Sequence, residues 1–273
     1  MRILVVYFSA TGNTSKMAKA IKEGFVDLGA EADEYDITLP SARQNRIDLT
    51  PYQAVILGSP IHIQRAPKVV REWLRTLDGH GMKCSMFFTC GGFKVHPAHY
   101  STRRILEEQG FVVVSSAEFL GAHTFNIGGW KAMEGRPDED DFRAAKEYVV
   151  KTYKRFTGEV PQILGELEKT QYSDNELDQL EGRRFQILTQ LPDRNGKDCS
   201  MCMMCEELCP TGAMDAETGK ADKEKCIACL RCMANCPDNA LQINDMSGIW
   251  SSKLEKDNVT EDDLKKKKSK IYM

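Results

Sequence analysis

Apolar residues in the first 160 positions fall into short unbroken runs, separated by longer stretches in which they recur every three or four residues. Ile3 to Phe8 is one such run, the pattern of a strand buried on both faces of a parallel sheet. From Asn13 to Leu28, Met17, Ala20, Ile21, Phe25 and Leu28 lie at helical spacing. Glu31 to Ile37 predicts a weaker second strand, followed by a polar loop through Asp48. Ala54 to Gly58 predicts a third strand, and Pro67 opens a helix carrying Val69, Val70, Trp73, Leu74 and Leu77. Ser85 to Thr89 is a fourth strand, Tyr100 to Gln109 a helix closed by Gly110, and Phe111 to Phe119 a fifth strand. Asp138 to Phe156 has the acidic start and apolar face of a last helix. Five strands alternating with helices predict an α/β fold built on a doubly wound parallel sheet.

Beyond residue 160 the pattern changes. Residues 161–196 form a polar connector, with helical pieces expected around Val160 to Glu168 and Asp174 to Phe185. Residues 197–246 are dense in cysteine and poor in apolar runs, so this part needs a metal to fold. Residues 247–273 form a tail ending in Lys265-Lys266-Lys267-Lys268, expected to be solvated or frayed, with docking as the lesser reading. The first 160 residues are thus one domain and 197–246 a second.

Eight of the ten cysteines fall into two copies of one spacing, Cys199-x2-Cys202-x2-Cys205-x3-Cys209-Pro210 and Cys226-x2-Cys229-x2-Cys232-x3-Cys236-Pro237. Pro210 matches Pro237 and Ala213 matches Ala240, which marks an internal duplication. This is the thiolate pattern of cubane iron–sulfur clusters, in which the fourth cysteine of each run ligates the other cluster. On that logic one [4Fe-4S] cluster takes Cys199, Cys202, Cys205 and Cys236, and a second takes Cys226, Cys229, Cys232 and Cys209. Zinc modules pair two Cys-x2-Cys hairpins and fit this spacing poorly. The residues resemble the bacterial two-cluster ferredoxin motif over Lys197 to Asn244, which implies a small α+β domain.

Between the first strand and first helix lies Ser9-Ala10-Thr11-Gly12-Asn13-Thr14. Four of the six side chains can hydrogen-bond a phosphate, Gly12 lets the backbone turn closely, and a helix start supplies free amides. The loop has no lysine, so a monophosphate held by neutral donors suits it better than a triphosphate. An ordinary hydroxyl-rich helix cap is the plainer alternative. The loop resembles that of flavodoxins, with Ser9, Thr11, Gly12 and Thr14 in register. That resemblance implies FMN, and a flavodoxin-like strand order of 2-1-3-4-5 with the ligand at the switch point.

The loops after the third and fourth strands should then flank the flavin ring, through Ser59, Pro60, Ile61, His62 and Ile63 and through Cys90, Gly91, Gly92 and Phe93. His62 reads equally as a proton donor or as ring packing, and Arg65 equally as a partner for reduced flavin or as a solvated charge. Cys90 reads as a buried strand-end thiol ahead of a redox group, Cys84 as core, and Trp130 as sheet-edge packing ahead of a lid. Neither loop holds the tryptophan and tyrosine usual in flavodoxins, and Gly-Ser-Pro-Ile looks more like flavodoxin-fold enzymes acting on quinones or protoporphyrinogen.

Taken together, the motifs resemble the flavodoxin–ferredoxin fusion proteins of anaerobic bacteria and archaea. This implies an electron-transfer protein relaying single electrons between two [4Fe-4S] clusters and FMN, with a redox partner such as a ferredoxin, reductase or dehydrogenase. The alternative is an FMN-dependent oxidoreductase fed by the clusters. A net charge of −3 argues against nucleic acid. No apolar stretch reaches membrane-span length, and without a secretory leader the expected location is cytoplasmic. A second copy of the chain is a further possible partner.

Overall fold

The computed structural model describes residues 1–93 and 95–273. Five parallel strands, β1 (Arg2–Tyr7), β2 (Glu31–Asp36), β3 (Ala54–Pro60), β4 (Lys83–Cys90) and β5 (Val112–Leu120), lie in the order 2-1-3-4-5. Helices α1 (Asn13–Asp27), α2 (Lys68–Leu74), α3 (His96–Glu108) and α4 (Glu139–Thr157) connect or follow them. The unbroken apolar runs are explained by alternation across a sheet buried on both sides. Leu4, Val6, Val55, Leu57, Met86 and Phe88 face one core, shared with Val70, Trp73, Ile105 and Leu106 of α2 and α3. Ile3, Val5, Ile56, Phe87 and Phe119 face the other, shared with Met17, Ile21, Phe25, Tyr148 and Val149 of α1 and α4. Gly58 is required where it stands, because a Cβ there would lie 2.2 Å from the Phe87 ring of the neighbouring strand.

The expected flavodoxin-like order is present, with one addition. The C-terminal strand β8 (Lys270–Tyr272) runs antiparallel along β5 as a sixth strand. The Tyr272 hydroxyl donates to Glu118 at 3.1 Å, and Ser269 Oγ donates to the buried Asp141 at 2.5 Å. The lysine-rich tail is therefore docked, correcting the expectation of a frayed end: three residues of strand pairing outweigh the repulsion of four clustered lysines.

The connector also differs from expectation. Residues 161–168 form no helix; Leu164 donates to Val113 O and Gly165 to Met273 O, so this stretch hugs the sheet edge. Helix α5 (Asp174–Gly182) does form, started by a Ser173–Glu176 capping box, and short α6 (Arg184–Ile187) follows. The cysteine-rich part contains two one-turn helices, α7 (Met204–Glu207) and α8 (Arg231–Ala234), and a ribbon of β6 (Met214–Asp215) and β7 (Lys220–Ala221). Helices α9 (Ser247–Asp257) and α10 (Glu261–Lys265) lead into β8.

Candidate functional site

The loop after β1 turns sharply at Gly12, whose φ of 98° lies in the left-handed region that glycine reaches without strain. Its side chains are largely occupied in holding its shape. Ser9 Oγ accepts from Ser15 N at 3.1 Å, Thr14 Oγ1 lies 2.7 Å from Thr89 Oγ1 at the end of β4, and Asn13 Nδ2 donates to Ala122 O at 2.9 Å. The main-chain amides of residues 10–14, by contrast, make no hydrogen bond among the described residues. Five consecutive free N–H groups at the start of a 15-residue helix form a nest for an anion. The donors a phosphate would meet are thus mainly backbone, rather than the hydroxyls that the residue types alone suggest.

Two further loops flank this nest at the carboxyl ends of β3 and β4. Residues 62–65 form a tight turn in which His62 N donates to Arg65 O at 2.8 Å, with Ile63 and Gln64 both at positive φ. Ser59 Oγ donates to the Pro60 carbonyl, and Ile61 packs into the core of the sheet. Burial lowers the His62 pKa to about 4, against the pull of Glu181 and a hydrogen bond to the Ile227 backbone, so the ring is neutral. The buried guanidinium of Arg65 reaches Asp178 at 2.6 Å and Glu181 at 3.2 Å on α5, so its charge is paired within the fold. The reading of Arg65 as a solvated charge is thereby corrected. Arg71 beside it makes a two-pronged bond to Glu181, at 2.7 and 3.0 Å.

In the loop after β4, burial pushes the Cys90 thiol up to about 12, with Glu118 adding to the shift, which makes it an inert buried cysteine. A Cβ on Gly91 would strike His123, and one on Gly92 would strike Met133. Phe93 meets the edges of Trp130 at 5.9 Å and Trp250 at 6.1 Å, with Lys253 Nζ 4.4 Å above its ring. Lys267 donates to Gly92 O. His123, whose pKa burial lowers to about 4, completes this aromatic group with Trp130 at 4.8 Å. Sequence reasoning named Phe93 and Trp130 but missed His123, Trp250 and Lys267. Trp250 and Lys267 reach the loop only through the return of the tail, which no local pattern signals.

The two cysteine runs fold alike. Met201 and Ala228 sit two residues after the first cysteine of each run, Met203 and Leu230 four residues after, and all four have positive φ between 54° and 63°. Ala213 N donates to Cys209 Sγ at 3.2 Å, and Ala240 N repeats this to Cys236 Sγ at 3.3 Å. The ten cysteines are all free thiols. Cys199, Cys202, Cys205 and Cys236 line one cavity together. Burial first, and then the nearby Cys229, Cys226 and Cys209, push the Cys232 thiol up, so these four lie close to one another. Among the described residues, no three His, Cys, Asp or Glu converge tightly enough to hold a single metal ion. The thiols are grouped in fours without being drawn to one point.

The quartets occupy different surroundings. Cys202 is exposed, as are Met201, Met203 and Met204 around it. Cys229 is 7% exposed and belongs to the same packed core as Phe8, Ala10 and Ala66, with Ile61 and Ile227 against it. Arg231 Nη1 donates to Ser9 O at 2.9 Å and to Ala10 O at 2.8 Å, and Arg43 donates to Pro210 O. Cys229 and the one-turn helix that carries Arg231 therefore lie against the loop after β1.

Two family models match this architecture: a flavodoxin domain over residues 4–121 and a 4Fe-4S binding domain over residues 220–242. The chain is a flavodoxin–ferredoxin fusion. In this fusion the flavodoxin domain implies FMN, the 4Fe-4S domain implies a cluster, and the pair supports electron transfer with a redox partner. Solved structures similar to it include a flavodoxin from the domain Archaea, at 20% identity and a TM-score of 0.44, covering 57% of this chain and 99% of that one. Oxidised Flavodoxin 2 from Bacillus cereus is 19% identical with a TM-score of 0.45, covering 57% of this chain and 99% of that one. No curated protein matches the fusion. No helix among the described residues is long and apolar enough to cross a membrane.

Proposed function

We propose that the fusion relays single electrons between two [4Fe-4S] clusters and FMN, entering from a partner protein at the outer quartet and reaching the flavin through the inner one. Clusters and flavin, when bound, supply the one-electron chemistry. Cys199, Cys202, Cys205 and Cys236 would hold the outer cluster, and Cys226, Cys229, Cys232 and Cys209 the inner. The free amides of residues 10–14 would hold the FMN phosphate, with residues 59–63 and 90–93 flanking the ring. The observation that carries this reading is that Cys229 belongs to the same core as Phe8 and Ala10, with Ile61 packed against that core, which supports an inner cluster close to the flavin loops.

The residues around this contact favour transfer over proton chemistry. His62 bridges from the loop after β3 to the backbone of Ile227 and stays neutral, so it anchors the two domains without storing charge. Trp250 and Lys253 pack on Phe93, so the loop after β4 is braced by the C-terminal segment, which supports a carrier over substrate turnover. Exposed Met201, Met203 and Met204 around Cys202 form an apolar landing for the partner.

The reading is tested by titrating the purified holoprotein with dithionite and following cluster absorbance and flavin absorbance together. Serine in place of Cys202 should slow reduction of the flavin by a partner ferredoxin while leaving flavin content intact. Flavin that stays oxidised when all iron is reduced would refute the relay.

A further inference from the structure

The phosphate nest has no charged side chain of its own between Ser9 and Thr14. A cation reaches it from the other domain. Arg231, 222 residues beyond Ser9, bonds through Nη1 to the carbonyls of both Ser9 and Ala10. In a trans peptide the N–H points away from its C=O. Holding the carbonyls of Ser9 and Ala10 against Arg231 therefore turns the amides of Ala10 and Thr11 the opposite way, into the hollow lined by the free amides of residues 10–14. A charged donor on these carbonyls also polarises the peptide units and strengthens their N–H groups as donors.

Arg231 is itself tightly placed. It lies between Leu230, held at a φ of 54°, and Cys232, in the one-turn helix α8. Its buried Nε makes no hydrogen bond among the described residues, so the two loop carbonyls are what the side chain grips. Two of its near neighbours, Cys229 and Cys232, belong to the inner quartet. We propose that Arg231 is a positioning residue through which the loaded inner cluster site shapes the phosphate nest. Cluster-bound cysteines hold α8, α8 holds Arg231, and Arg231 holds the amides that grip FMN. The inference rests on the FMN reading above and adds a dependence of flavin affinity on the ferredoxin-type domain.

The test uses the full chain with iron and sulfide contents matched between variants, freed of flavin and titrated with FMN and with riboflavin, which lacks the phosphate. Quenching of flavin fluorescence gives each affinity. Arg231→Met should weaken FMN about ten- to a hundredfold, the range for loss of charged hydrogen bonds, and leave riboflavin within about twofold. Arg231→Lys, which keeps the charge but not the planar fork, should fall between wild type and Arg231→Met; it serves as the readout if the methionine variant cannot be loaded with iron. Unchanged FMN affinity in Arg231→Lys and Arg231→Met overturns the proposal. So does equal weakening of FMN and riboflavin, which would mark a loosened domain contact. Wild-type protein that binds neither flavin would instead remove the FMN reading, and this inference with it.

Discussion

The two ends of the chain are stabilised by opposite means. The flavodoxin domain buries whole side chains on both faces of its sheet, with Ile3, Val5, Phe8, Phe25, Phe87, Phe119 and Tyr148 fully enclosed. The cysteine-rich domain has a small core of Cys209, Ala213, Met214, Cys226 and Leu241, with Cys205 and Cys232 among the residues packed against it. Apolar area at roughly 25 cal/mol per Å2 holds the first; the second has too little of it and depends on what its thiols bind. The comparison teaches where each half is sensitive. One fails when its packing is cut, the other when its ligand is taken away, and the contact between them through Arg231, Arg43 and His62 passes a failure of either to its neighbour.

Iron removal tests this contrast with the largest effect. Chelation under reducing or acid conditions should leave residues 197–246 open to proteolysis while the sheet of β1 to β5 keeps a cooperative unfolding transition, read by limited digestion and circular dichroism. Simultaneous loss of both halves would show that the fold of the sheet also relies on the clusters.

The reciprocal cut is Phe87→Ala. This ring is wholly buried against Phe119 and over Gly58, so its truncation should cost about 3–5 kcal/mol, measured as a fall in the urea midpoint of the flavodoxin domain. Iron content should hardly change. A cost below about 1 kcal/mol would mean that the core collapses around the gap.

The smallest effect is expected from acid, at the contact between the domains. His62 and His123 are both lowered to about 4 by burial, and each unfolded ring titrates near 6.5. A base lowered on folding is fully compatible with the native state above about pH 6.5, and stability is lost as pH falls from there toward 4, because the unfolded chain takes up the protons first. Each ring should remove up to about 2 kcal/mol between pH 7 and pH 5. Comparison of urea midpoints at these pH values checks it, and the double variant His62→Gln, His123→Gln should flatten the slope.

Much of this was legible in the sequence. The runs at Ile3, Ala54 and Phe111 marked strands because a parallel sheet buried on both faces admits no polar alternation. The two cysteine runs marked a duplication, and identical positive φ values at Met201 and Ala228 show the backbone repeating with them. Three features were not legible. The stretch from Val160 to Glu168 has a helix-like pattern but is spent on the sheet edge, where Leu164 bonds to Val113. Arg65 read equally as a partner for reduced flavin or as a solvated charge, and its pairing with carboxylates of α5 more than 100 residues away was visible in neither. The tail read as a frayed polycation because its partner, the edge of β5, is distant in sequence.

Local chemistry was therefore readable from the chain alone: backbone that must turn at Gly12, thiols spaced to share clusters, apolar runs that must be buried twice. These depend on residues a few positions apart, which covalent geometry already places together. The tertiary structure alone decided what lies between the domains. It set Arg231 against the carbonyls of the loop after β1, placed Cys229 in the core shared by Phe8 and Ala10, and brought Lys267 and β8 back to the ends and edge of the sheet. Contacts of that kind join residues 154 to 222 positions apart, and they form only once both domains have folded and found the surfaces that fit.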